Sequence, residues 1–238
     1  MIHRGRDRYK THSGIPYGST CNLSTKLTFA FLWNQDVSAA SWSDQGVNNN
    51  HASNEVDEEQ ATLLSDGSLD FESGSTQHYD LASEITISAQ EGWCCFIVCN
   101  IESTGSNKTI LGLSASHFLE FKQNADAVRY RGGSTTTQID PGDGTRNDFD
   151  AGTKMLVTIN REAGATGNLN LWKNGVELAQ DSQASNPGDG EFTQISCRNA
   201  DRYFDGIIYD LVFIDGGSNT SDVIERINAY LTSKHGLN

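Results

Sequence analysis

Glu55-Val56-Asp57-Glu58-Glu59 sets carboxylates at alternate positions. On a strand, alternate side chains share a face, and two carboxylates ~5 Å apart there can act as nucleophile and general acid of a retaining glycosidase. Here Glu58 fills an intervening position, and the flanking residues are polar. The segment reads as a solvated acidic loop, and no catalytic role is expected. Asp140, Asp143, Asn147, Asp148 and Asp150 form a second acidic group. Calcium takes roughly 6–8 oxygen ligands, which such a loop can offer. The spacing lacks the EF-hand pattern, so a polar turn is the simpler reading. Asp44, Asn48 and Asn49, in the polar loop 42–54, offer oxygens in the same way. No cofactor is expected, with calcium the one left open.

Sugar binding needs an exposed aromatic ring beside amides or carboxylates. Trp172 alternates with Leu169 and Leu171, so its ring should point off the core, beside Asn168 and Asn170. Trp42, in a polar loop, is a second candidate, and Tyr130 with Arg131 a weaker one. The plainer reading of each ring is packing under a loop or against a neighbouring subunit. The six histidines show no metal-ligand spacing, and no serine or cysteine stands in a triad context.

The elements that must position these residues are strands. Across 238 residues with 23 glycines and only 3 prolines, about a dozen short apolar runs recur between turn signals. That rhythm predicts an all-β sandwich or jelly roll. Residues 93–100 are almost continuously apolar, which predicts a central strand covered on both faces. Asn174-Gly175, between two strand-like runs, predicts a tight hairpin. Residues 206–214 predict a last strand, with Ile208, Asp210 and Val212 on one face and Ile207, Tyr209, Leu211 and Phe213 on the other. A helix should follow. Val223, Ile224, Ile227, Tyr230 and Leu231 share a face, Lys234 and His235 suit its negative end, and Gly236 stops it.

The chain carries a net charge of -14, which argues against nucleic acid as a partner of the body. Charge is uneven. Arg4, Arg6, Arg8 and Lys10 against Asp7 give the start of the chain +3 and leave -17 for the rest. Residues 1–24 lack periodicity and read as an N-terminal arm, with residues 25–238 as one domain. An extended arm of ~20 residues spans about 65 Å and is expected to dock on an acidic neighbour. No apolar run follows the basic residues, so no export signal is expected, and no membrane span. Cys21, Cys94, Cys95, Cys99 and Cys197 show no C-x-x-C spacing and read as reduced core residues, as in a cytosol.

The final third carries the sequence F-D-G-I-I-Y-D-L-V-F (residues 204–213) and the ending Y-L-T-S-K-H-G-L (residues 230–237). With S-W-S-D-Q-G-V-N-N-N-H-A (residues 41–52) and D-G-S-L-D-F (residues 66–71), it resembles the concanavalin A-like lectin/glucanase superfamily. The laminin-G-like branch found in tailed-phage virion proteins, including cyanophage-type ones, is nearest. The resemblance implies a jelly-roll sandwich with a short C-terminal helix. It also implies a non-enzymatic virion structural protein, a capsid decoration or tail-fibre component assembled in host cytoplasm. Its partners would be other virion proteins, in multiple copies on a symmetric particle, with the arm as anchor. The alternative is a carbohydrate-binding lectin domain that recognises host surface glycans, with or without calcium.

Overall fold

The computed structural model describes residues 27–32, 34–103, 105–122, 127–140, 149, 151–165, 167–181, 188–216 and 221–237. The arm with Arg4, Arg6, Arg8 and Lys10 lies outside these, as do Asp143, Asn147, Asp148 and Asp150.

The strands are β1 (Phe29–Phe31), β2 (Ser41–Trp42), β3 (Ala52–Ser53), β4 (Thr62–Leu63), β5 (Leu69–Phe71), β6 (Tyr79–Ile87), β7 (Trp93–Ile101) and β8 (Lys108–Ser114). They continue as β9 (His117–Phe121), β10 (Val128–Gly132), β11 (Thr135–Ile139), β12 (Met155–Arg161), β13 (Leu169–Lys173), β14 (Val176–Asp181), β15 (Gly190–Ile195) and β16 (Gly206–Ile214). Helix α1 (Ser221–His235) follows them. One sheet runs β14-β13-β12-β7-β16-β5-β4, and β1 shares an edge of β16 with β5. The other runs β11-β10-β9-β8-β15-β6-β3-β2. Two antiparallel sheets facing each other over one apolar core make an all-β sandwich.

Strand β7 shows how sequence sets the layers. Trp93, Cys95, Ile97, Cys99 and Ile101 point between the sheets. Cys94, Phe96 and Val98 point outward, under α1. A strand covered on both faces has no polar position to alternate, which is why its sequence reads as a continuous apolar run. Cys94, Cys95, Cys99 and Cys197 are buried free thiols, and burial raises the pKa of each.

Strand β16 departs from simple alternation. Its register with β7 pairs Ile208 with Cys99 and Asp210 with Val98, which leaves Tyr209 as an extra residue. The bulge flips the pattern. Ile208 faces the core with Leu211 and Phe213, while Tyr209, Val212 and Ile214 face the helix. The facing expected from strict alternation therefore fails on the near side of the bulge, at Ile207, Ile208 and Tyr209.

Helix α1 lies across β7 and β12 and buries Val223, Ile224, Ile227 and Leu231. Each such side chain stabilises by about 1.5–3 kcal/mol before ordering entropy is set against it. The helix ends in a Schellman motif. Gly236 has φ 64°, Gly236 N–H donates to Ser233 O at 3.4 Å and Leu237 N–H to Thr232 O at 3.0 Å. A positive φ is cheap only for glycine, so the predicted stop has a backbone cause.

Candidate functional site

Where α1 stops covering the outer face of its sheet, a groove of about 910 Å³ opens over β12, β13 and β14. Register explains its polarity. Across the outer face Phe96, Thr158, Trp172 and Glu177 lie in one row, and Cys94, Asn160 and Asn170 in the next. The rows are apolar under the helix and turn polar beyond it. Trp172 is half-buried and lines the groove with Asn160, Asn170 and Asn174 from the sheet. From α1 come Glu225, Asn228, Thr232 and Ser233, at helical spacing beside the buried stripe.

The frame of the groove is fixed. Thr158 Oγ1 donates to Asn228 Oδ1 at 2.5 Å, with both residues buried, which ties helix to sheet. At the hairpin, Asn174 has φ 50° and Gly175 φ 80°, the paired positive values of a type I′ turn. Asn174 N–H donates to Leu156 O at 2.8 Å, and Leu156 N–H to Asn174 Oδ1 at 2.9 Å. The wall of the groove is thereby an extension of the β-ladder.

Its chemistry is acceptor-rich. Asn170 is 5% exposed; its Nδ2 donates to Glu162 Oε1 at 3.2 Å, while its Oδ1 has no partner among the described residues. Thr232 Oγ1 is likewise buried without a partner there. Glu162, Glu177 and Glu225 also line it, as does Ser221 at the start of α1, and among the described residues no lysine, arginine or histidine does. An aromatic face beside amides and carboxylates can stack a sugar ring and fix its hydroxyls.

The other candidates fall differently. Trp42 is 1% exposed, packs on Phe31 and donates Nε1–H to Leu32 O at 3.3 Å. It belongs to the core, and no face is left for a sugar. Tyr130 is buried against Trp93, ring centroids 4.9 Å apart, which removes it too. Asp44 spends both carboxylate oxygens on backbone: Oδ1 accepts from Ala30 N–H (2.8 Å) and Gly46 N–H (2.7 Å), and Oδ2 from Asn50 N–H (2.9 Å). Asn48 Nδ2 donates to Thr28 O at 3.0 Å. This loop is held by its own polar groups, so the oxygens of Asp44 are not offered to calcium. Glu55 and Asp57 are exposed, and residues Asp57–Glu59 form a 3₁₀ turn, so no strand aims them into a cleft.

One acidic cluster escaped the sequence reading. Asp70, Glu72 and Glu102 bring carboxylate oxygens within 4.8 Å of one another. Burial and then the charge of Asp205 raise the Asp70 pKa; burial and then Asp70, Glu72 and Asp205 raise that of Glu102. Through one oxygen each, three carboxylates supply at most half the ~6–8 oxygens that calcium takes. No sequence spacing marks the cluster, because β5 and β7 flank β16 and meet only in the sheet. The groove residues Asn160, Asn228 and Thr232 also went unread. Their one signal is that the outward positions of β12 change from Leu156 to Thr158 to Asn160.

No protein-family model matches the sequence, and no curated protein matches it. Solved structures do match. The fold resembles that of toxin binding domains. The binding domain of Paraclostridial Mosquitocidal Protein 1 superposes with TM-score 0.59 at 13% identity, covering 88% of this chain and 53% of that one. The Botulinum Neurotoxin Type G receptor-binding domain gives 0.53 at 12%, covering 87% and 51%. The ligand-binding domain of Botulinum neurotoxin serotype D, solved in complex with N-acetylneuraminic acid, gives 0.52 at 10%, covering 87% and 51%. The chain thus spans about half the length of the structures it matches. The likeness establishes the β-sandwich, and the neighbours are named as binding domains rather than catalytic ones.

Proposed function

We propose that this protein is a non-catalytic, lectin-like module that binds glycans in the groove between α1 and the outer face of β12–β14. The observation that carries this reading is Trp172 beside Asn170, whose buried Oδ1 has no partner among the described residues. A sugar hydroxyl supplies that donor while its ring packs on the indole. Neighbours of the fold are named for sugar ligands, one for N-acetylneuraminic acid and one for two ganglioside molecules, which supports the class of ligand and not the place. The test is a glycan array followed by calorimetry on the best ligand. Wild-type binding that falls at least ~10-fold in Trp172→Ala, with the melting temperature retained, supports the reading; a ~10-fold loss is ~1.4 kcal/mol. Binding that survives the substitution unchanged, or no binding to any glycan, overturns it.

A place on a tailed-phage particle is the setting we propose for this module. It rests on the sequence resemblance and on the +3 arm beside a -17 remainder. In that setting the arm docks on acidic virion neighbours through Arg4, Arg6, Arg8 and Lys10, in multiple copies. Removal of residues 1–20 should leave the sandwich folded and lower incorporation into particles; unchanged incorporation would count against the anchor.

A further inference from the structure

The glycan reading of the groove leaves the ligand class open, and the lining narrows it. We infer that the groove selects non-anionic, donor-rich sugars, either neutral or bearing a free amine, and rejects sialylated and sulfated ones; this rests on the glycan reading above. Among the described residues the lining carries the carboxylates of Glu162, Glu177 and Glu225 and no cationic side chain. Two buried oxygens on its wall, Asn170 Oδ1 and Thr232 Oγ1, have no partner among the described residues. The Asn170 oxygen can only accept, and the carboxylates only accept.

A ligand carboxylate or sulfate brings further acceptors and a negative charge. Recognition of such groups runs through arginine forks, lysines or helix N-termini. Nothing of the first two kinds lines the groove among the described residues. The N-terminus of α1 borders the groove through Ser221, but Asp222 in its first turn and Glu225 on the lining offset its pull on an anion. At the rim, like charges at ~8 Å still interact across about one Debye length at physiological salt. A chain of net charge -14 adds a repulsive field over longer range. Hydroxyls and ammonium groups, by contrast, donate to every acceptor in the groove. This sets the groove apart from the serotype D neighbour, which was solved with an acidic sugar.

The experiment is an array of neutral oligosaccharides, their amino-sugar counterparts, and the same chains capped with sialic acid or sulfate. It is probed with the full chain and with Glu177→Gln/Glu225→Gln, two exposed positions whose change should spare the fold. Wild type should bind neutral or amino chains at least 10-fold tighter than their acidic caps. The double variant should narrow that ratio several-fold, and an amino-sugar preference should weaken with added salt. Equal or tighter binding of the acidic chains overturns the inference and leaves the glycan reading standing. Discrimination unchanged in the double variant removes the glutamates as its cause and overturns it too. Binding to no chain at all overturns the glycan reading itself.

Discussion

Lys234 Nζ lies 2.9 and 3.0 Å from the two carboxylate oxygens of Asp210, a residue with no solvent exposure. His235 Nε2 meets the same carboxylate. The bulge at Tyr209 and the last turn of α1 are thus joined by an ion pair under the helix. Breaking a buried pair by removing one partner typically costs about 3–5 kcal/mol, less where other groups still face the remaining charge. Lys234→Met should lower unfolding free energy by about 3 kcal/mol in urea titrations. An unchanged midpoint would show that the other groups facing Asp210, His235 among them, satisfy it without Lys234.

The two tryptophans read as glycan candidates should separate cleanly. Trp42→Ala empties a core site and should cost about 3–5 kcal/mol. Trp172→Ala removes a half-buried ring from the groove wall and should cost far less, while abolishing most glycan binding. Melting curves beside calorimetry distinguish them. A Trp172→Ala protein as unstable as Trp42→Ala would mean that the ring is structural.

The contrast shows what the sequence could and could not reveal. Strand β7, the Asn174-Gly175 turn and the Gly236 stop were legible because each is a local requirement: an apolar run, a pair of positive φ values, a helix end. Trp42 was misplaced because its neighbours in sequence are polar while its neighbours in space, Phe31 among them, are not. The bulge at Tyr209 leaves no mark in a run of apolar residues. The groove was half legible. Alternation put Trp172 outward, but Thr158 and Asn228 are 70 residues apart and meet only after the helix docks. The motifs that carried the family resemblance prove structural. Asp44 gathers its loop, Asp205 accepts from Ser73 N–H and Ser103 Oγ, and Lys234 and His235 hold Asp210. Such motifs mark a fold and say little of a ligand.

The bond between Thr158 and Asn228 should show the asymmetry of buried polar pairs. Thr158→Val alone leaves the Asn228 amide partly unsatisfied and should cost about 1–3 kcal/mol. Thr158→Val with Asn228→Leu removes both partners and should recover most of that loss. A double-mutant cycle read by chemical denaturation gives the coupling directly. Additive losses would mean that the bond does not tie helix to sheet.

The Asp70, Glu72 and Glu102 cluster predicts a pH dependence whose sign follows from its shifts. Burial and then neighbouring charge raise the pKa of Asp70 and of Glu102 in the folded protein. A carboxyl that holds its proton more tightly when folded adds stability below its unfolded pKa, about 4, and loses that contribution as pH rises through the folded value. At pH 7 both are ionised and repel, so Asp70→Asn should raise the melting temperature there. Below about pH 4 the wild-type carboxyls are protonated and the advantage should vanish. Asp205 should behave in the opposite sense. Burial pushes its carboxyl up, but hydrogen bonds from Ser103 and Ser73 and the charge of Lys108 outweigh burial and hold it low. Asp205→Asn should therefore destabilise at neutral pH, with the deficit closing as acid titrates the wild-type carboxylate. Melting curves from pH 3 to pH 8 on both variants check the pair. Two curves that move in the same direction with pH would mean that local repulsion, rather than the hydrogen bonds around Asp205, governs this end of the sandwich.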